Sequence, residues 1–96
     1  MIEVKRTSDG DPLAFAVVVR EGRGETRHQV TMSRETLGRL SAGRHNDAQV
    51  IDAAFRFLLE REPKESILGK FDVTVIARYF PEFERELPRY LAQTGS

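Results

Sequence analysis

The chain has 96 residues, 40% of them hydrophobic and 31% charged, enough apolar material for one core, too little length for two, and too apolar for a disordered segment. Fifteen basic residues balance fifteen acidic ones, so the total charge gives no long-range pull toward nucleic acid or anionic lipid. Cysteine is absent, which excludes a disulfide framework, a thiol nucleophile and a zinc–cysteine cluster.

The first third reads as strands. Ile2 and Val4 alternate with Glu3 and Lys5, and Ser8 to Pro12 supply a turn. The stretch LAFAVVVR then carries the β-branched run Val17 to Val19. Gly22 and Gly24 in EGRGE can take positive φ without a Cβ clash and mark a second turn. In TRHQVTMS, His28, Val30 and Met32 fall on one face and Arg27, Gln29 and Thr31 on the other, with His28 expected to be half-buried. These segments predict an antiparallel meander of about three strands. Glu3, Lys5, Arg6 and Asp9 interrupt any secretory apolar region, and nowhere do about 18 apolar residues run together, so a cytoplasmic chain without a membrane span is expected.

Helices are predicted from Ser33 onward. Ser33 is a suitable N-cap, Met32 and Leu37 can form a hydrophobic staple, and this short helix should end at Gly43. Asn46 with Gln49 makes a capping box for a helix from about Asp47 to Arg61. There Gln49, Asp52, Arg56 and Glu60 stack into one polar stripe, with Asp52–Arg56 and Arg56–Glu60 as i,i+4 pairs. Val50, Ile51, Ala53, Ala54, Phe55, Phe57, Leu58 and Leu59 fill the rest of the circumference. A helix so nearly apolar all round must be central, covered by the sheet on one side and by the last third of the chain or a partner subunit on the other.

Pro63 should stop that helix and start a single turn, PKESIL, ending at Gly69. Asp72 can cap a helix through Val73, Val75, Ile76, Tyr79 and Phe80, but the β-branched residues make a strand a serious rival for Asp72 to Ile76. Pro81 and Pro88 are expected to divide the remainder, with Phe80, Phe83 and Leu87 on one face and only the terminal QTGS frayed.

Chemistry-bearing motifs are sparse. His28 and His45 have no His or Cys at ligand spacing, so neither a metal nor another cofactor is expected. Ser8, Ser33, Ser41, Ser66 and Ser96 lie in no nucleophile elbow, and Gly22 and Gly24 belong to a hairpin rather than a dinucleotide loop. No catalytic residue is assigned, and the chain is read as not an enzyme, a small enzyme being the second alternative. Arg78, Tyr79, Phe80, Phe83 and Tyr90 are residue types that stack on single strands, but their spacing reads as core and Glu82, Glu84 and Glu86 would repel phosphate. The charged joint between the two apolar runs, Arg61, Glu62, Lys64 and Glu65, reads as a solvated corner or as an exposed protein-docking site.

From Arg27 to Arg61 a strand, a short capped helix, a glycine-containing turn and a longer helix follow one another, an order that resembles the ribbon-helix-helix proteins, repressors and antitoxins of bacteria. That resemblance implies a strand paired across a dimer, with Arg27, Gln29 and Thr31 contacting DNA. Against it stand the strand LAFAVVVR, close enough to pair locally, and a basic surplus of only two up to Arg44. The run from Phe55 to Glu84 is similar to a group of small uncharacterised (hypothetical) bacterial proteins in its REPKESIL and YFPE elements. This implies no activity, cofactor or site residue.

The expectation is one α+β domain over residues 1–96: strands to about residue 33, two helices to 61, and short helical segments over 63–92. The small antiparallel meander packs on the central helix and short C-terminal helices follow. Its function is read as that of a non-catalytic binding or regulatory module whose partner is another protein or a second copy in a homodimer. A DNA-binding regulator is the alternative, with no membrane role.

Overall fold

The computed structural model describes residues 1–94. Strands β1 (Ile2–Ser8), β2 (Leu13–Arg20) and β3 (Glu25–Met32) form an antiparallel meander, and Gly22 and Gly24 take positive φ in the second turn. A fourth strand, β4 (Lys70–Asp72), lies parallel to β3 on its other edge. The sheet is therefore mixed, in the order β1-β2-β3-β4, one strand more than the sequence predicts. Three residues are too few for alternation to reveal, and their partners lie some forty residues away.

One face of the sheet is the core face. Leu13, Phe15, Val17 and Val19 on β2 and His28, Val30 and Met32 on β3 are buried there, and half-buried Ile2 and Val4 continue the face onto β1. His28 is more buried than its sequence context predicts, because it is fully bonded. Nδ1 donates to the Leu68 carbonyl at 2.7 Å, Nε2 meets the Thr26 hydroxyl at 2.9 Å, and the ring packs on Phe55. The bond to a carbonyl, which can only accept, fixes the proton on Nδ1.

Helix α1 (Arg34–Ser41) starts where Ser33 Oγ accepts from Thr36 N at 3.0 Å. It stops before Gly43, because the left-handed turn begins at Ala42 (φ 51) and continues through Gly43 (φ 71). Helix α2 (Asp47–Leu59) has the capping box: Asn46 Oδ1 accepts from Gln49 N at 2.8 Å, and Gln49 Oε1 accepts from Asn46 N at 2.9 Å. Its apolar circumference packs against the sheet on one side and against α4 (Phe83–Thr94) on the other. In the polar stripe Arg56 bonds Asp52 at 2.9 Å, but Glu60 accepts instead from the Tyr90 hydroxyl of α4 at 2.8 Å. The predicted Arg56–Glu60 pair gives way to an interhelical bond.

The last third differs most from expectation. After Pro63 comes a 3₁₀ turn over Lys64–Ser66, then β4, a second 3₁₀ turn over Val73–Val75, and the single-turn α3 (Ile76–Tyr79). Strand and helix thus divide the segment left open by the sequence. Asp72 makes the boundary, accepting from Thr74 N at 3.0 Å, Thr74 Oγ1 at 2.7 Å and Thr31 Oγ1 at 2.6 Å. Pro88 does not divide the end of the chain: it sits exposed inside the twelve-residue α4. An interior proline costs about 3 kcal/mol, and burial of Phe83, Leu87, Tyr90 and Leu91, each worth about 1.5–3 kcal/mol, outweighs it. Of the tail expected to fray, Gln93 and Thr94 belong to α4, while Gly95 and Ser96 lie outside the described residues. Among the described residues no helix is long and apolar enough to cross a membrane.

Candidate functional site

The charged joint is built in two opposed directions. Leu58 O accepts from both Arg61 N and Glu62 N at 2.9 Å, which closes α2 before Pro63. Arg61 then folds back over the helix it ends. Its guanidinium carbon lies 3.6 Å from the centroid of the Phe57 ring, with bonds to Phe57 O (3.2 Å), Glu82 (3.1 Å) and the Tyr90 hydroxyl (3.3 Å). A planar guanidinium can stack and bond in its plane at once, so this arginine works as an interhelical fastener.

Lys64 is buried at 8% exposure, against the expectation of an exposed docking residue. Its Nζ reaches the Arg23 carbonyl in the β2–β3 turn at 3.3 Å and Glu65 at 2.8 Å. The residue is buried while its ammonium keeps two acceptors, which the length of a lysine side chain allows. Glu65 is exposed, and its hydrogen bond from Lys64 holds its carboxyl below the ordinary range. Of the four residues, Arg61 and Lys64 are structural ties, Glu62 is half-buried and only Glu65 is exposed.

The chain beyond them is clamped along β3. His28 holds the Leu68 carbonyl, Gln29 N donates to Gly69 O at 2.8 Å, and Thr31 bonds Asp72. With the backbone fixed inward, the Leu68 side chain stands 48% exposed. It borders a groove of about 340 Å³ between the joint and α3. Buried Leu58, Ile67 and Ile76 and half-buried Phe71, Val75 and Phe80 make its apolar walls. Tyr79, 67% exposed, lies with Leu68 among the lining residues, and Glu62 and Ser66 are the remaining ones. Among the described residues the Glu62 carboxylate has no ion-pair or hydrogen-bond partner. The groove therefore combines apolar surface with one uncommitted negative charge.

The sequence reading passes over Leu68 and takes Tyr79 as core, whereas both side chains are exposed. A signal was present, since in the extended ILG stretch Ile67 and Leu68 must point to opposite faces and only one can enter the core. The residues assigned to DNA contact, Arg27, Gln29 and Thr31, share the outer face of the sheet, but two of them have partners. Arg27 pairs with Glu25 at 2.6 Å and Thr31 donates to Asp72. Because β2 bonds one edge of β3 and β4 bonds Gln29 to Thr31 on the other, that part of β3 is not open to the intersubunit ribbon that the ribbon-helix-helix resemblance implies. His28 is committed to the connector and His45 has a buried Nδ1 without a hydrogen-bond partner. Among the described residues no three His, Asp or Glu side chains converge on one point.

Comparison of the chain with protein-family models, with curated proteins and with solved structures finds no match.

Proposed function

We propose that this protein is a non-catalytic binding module that captures a segment of a partner protein in the groove beside α3. The observation that carries this reading is the conjunction of exposed Leu68 and Tyr79 with an unpaired Glu62 around one apolar depression. Large apolar side chains left in water gain when a partner covers them, and aromatic residues in partly enclosed sites dominate binding energy. At about 340 Å³ the groove is at the small end of ligand-sized pockets and takes one or two side chains. The carboxylate favours a segment in which a bulky apolar residue is followed closely by lysine or arginine.

Selection from a displayed peptide library tests this directly. Peptides with an apolar anchor beside a basic residue should be enriched. Ser66→Trp, a substitution at an exposed groove residue, should fill the depression and abolish binding, while Glu62→Lys should weaken it about tenfold, or roughly 1.4 kcal/mol. Enriched peptides that bind Ser66→Trp as well as the wild type would overturn the proposal.

A further inference from the structure

The opposite edge of the sheet has its own vacancy. Among the described residues β1 is bonded only to β2, and the ladder alternation sets the direction of its remaining backbone groups. Met1 and Arg20 exchange both of their backbone bonds, Arg20 N to Met1 O at 2.8 Å and Met1 N to Arg20 O at 2.5 Å. In an antiparallel ladder hydrogen-bonded and non-bonded pairs alternate, so Glu3 and Lys5 also bond inward to Val18 and Ala16. The N–H and C=O groups of Ile2, Val4 and Arg6 consequently point out of the sheet. Beyond Arg6 the register shifts at a bulge, so the regular free edge runs from residue 2 to residue 6.

We propose that this edge pairs with the same edge of a second copy, antiparallel and centred on Val4. Three symmetric registers pair more than one outward-bonding residue of each copy along this stretch, those centred on Glu3, Val4 and Lys5. Centring on Glu3 sets that carboxylate against itself across the axis, and centring on Lys5 does the same with two ammonium groups. Centring on Val4 places Glu3 opposite Lys5 of the partner subunit, and by symmetry does so twice. These fall in non-bonded pairs, where facing side chains approach most closely. Registers centred between residues oppose inward-bonding with outward-bonding residues and turn the core faces to opposite sides. The Val4 register uses residues 2 to 6 and no others, the stretch that the bulge leaves regular. It forms about six backbone hydrogen bonds, from the Ile2–Arg6 pairs and the central valine pair.

The charges are placed for this. Glu3 and Lys5 are both exposed on the outer face, and Lys5 has no partner within the described chain, whereas Glu3 bonds Arg20. Arg6 is held away from the axis by Asp47 at the start of α2, at 2.8 Å. An edge of five residues buries less than a standard interface of about 1,200–2,000 Å², so the dimer is weak. The groove lies beside β4 at the far edge, so dimerisation and peptide capture can fail independently.

Sedimentation equilibrium from about 10 μM to 1 mM tests the pairing, a range that reaches into weak self-association. The wild type should pass from monomer to dimer. Glu3→Lys and Lys5→Glu each set like charges across the axis and should each stay monomeric, with circular dichroism confirming the fold. An equimolar mixture of the two sets opposite charges at both positions and should recover a heterodimer at least as tight as the wild type. Amide exchange should show protection at Ile2, Val4 and Arg6 that rises with concentration, and none that does so at Glu3 or Lys5. A wild type monomeric at 1 mM, variants that dimerise unchanged, a mixture that does not associate, or protection elsewhere on the chain would each overturn the proposal.

Discussion

Replacing Tyr90 with phenylalanine removes one oxygen atom from the joint between α2 and α4 and leaves the ring in place. That oxygen is saturated: it donates to Glu60 at 2.8 Å and accepts from Arg61 at 3.3 Å and Arg89 at 3.1 Å, using its one proton and both lone pairs. A hydrogen bond to a charged group contributes about 1.5–3 kcal/mol when its partner cannot turn to water. Glu60 and Arg89 are exposed and recover hydration, so only the half-buried Arg61 loses a bond it cannot replace. Tyr90→Phe should therefore cost about 2 kcal/mol, the lower half of the range for one charged bond plus a few tenths from the exposed pair. For a domain of this size that lowers Tm by roughly 8–16 °C. The edge-on contact of the ring with Phe57, at 5.7 Å, should survive, so the denaturant m-value should not change. Urea denaturation of the two proteins is the assay. A loss below about 0.5 kcal/mol would mean that the hydroxyl bonds only groups equally content in water, and would refute the view of Arg61 as an interhelical fastener.

Two further changes probe other joints. Asn46→Ala removes one half of the α2 capping box and should cost about 1 kcal/mol in the same urea assay, with Asn46→Asp close to neutral. Asp72→Ala should cost about 1–2 kcal/mol at neutral pH, because it strips the acceptor from both Thr31 and Thr74. Partial burial pushes the Asp72 carboxyl up, but the hydrogen bonds from Thr31 and Thr74 outweigh it, so the folded pKa lies below the ordinary 3.8. A depressed carboxyl contributes stability above the pKa of the unfolded chain and loses it as pH falls through the folded value. The gap between wild type and Asp72→Ala should thus be full at pH 7 and narrow below about pH 3.8, and a gap that widens in acid would contradict this assignment.

Local rules were legible where both partners lie within a few residues. Ser33 with Thr36 and Asn46 with Gln49 are such cases, and so is the alternation of His28, Val30 and Met32. The parallel pairing of Lys70–Asp72 with Gln29–Thr31 was not, since its specificity comes from side chains forty positions apart. The β-branched stretch after Asp72 forms a 3₁₀ turn because Asp72 bonds Thr74 and ends the strand, a choice that β-propensity alone cannot foresee. The joint was misread through its charges. Arg61 and Lys64 look solvated in a sequence, yet each has a long apolar stem, and the acceptors that bring them inside, Phe57 O, Tyr90 and Arg23 O, carry no sequence signal at either position. The groove beside them was invisible for the same reason, because it exists only once β4 is laid along β3 and Leu68 is turned outward.

The chain has only three lysines, and the inward turn of Lys64 makes them chemically unequal. Lys5 and Lys70 stand exposed on β1 and β4, while the Lys64 amine is buried and bonded to a backbone carbonyl of the β2–β3 turn. An amine-acylating reagent should therefore modify the first two rapidly and reach the third only when the connector lifts from that turn. Lys64 is in this sense a clock set into the fold, its slow acylation timing an opening motion, with Lys5 and Lys70 as internal standards on the two outer strands of the sheet.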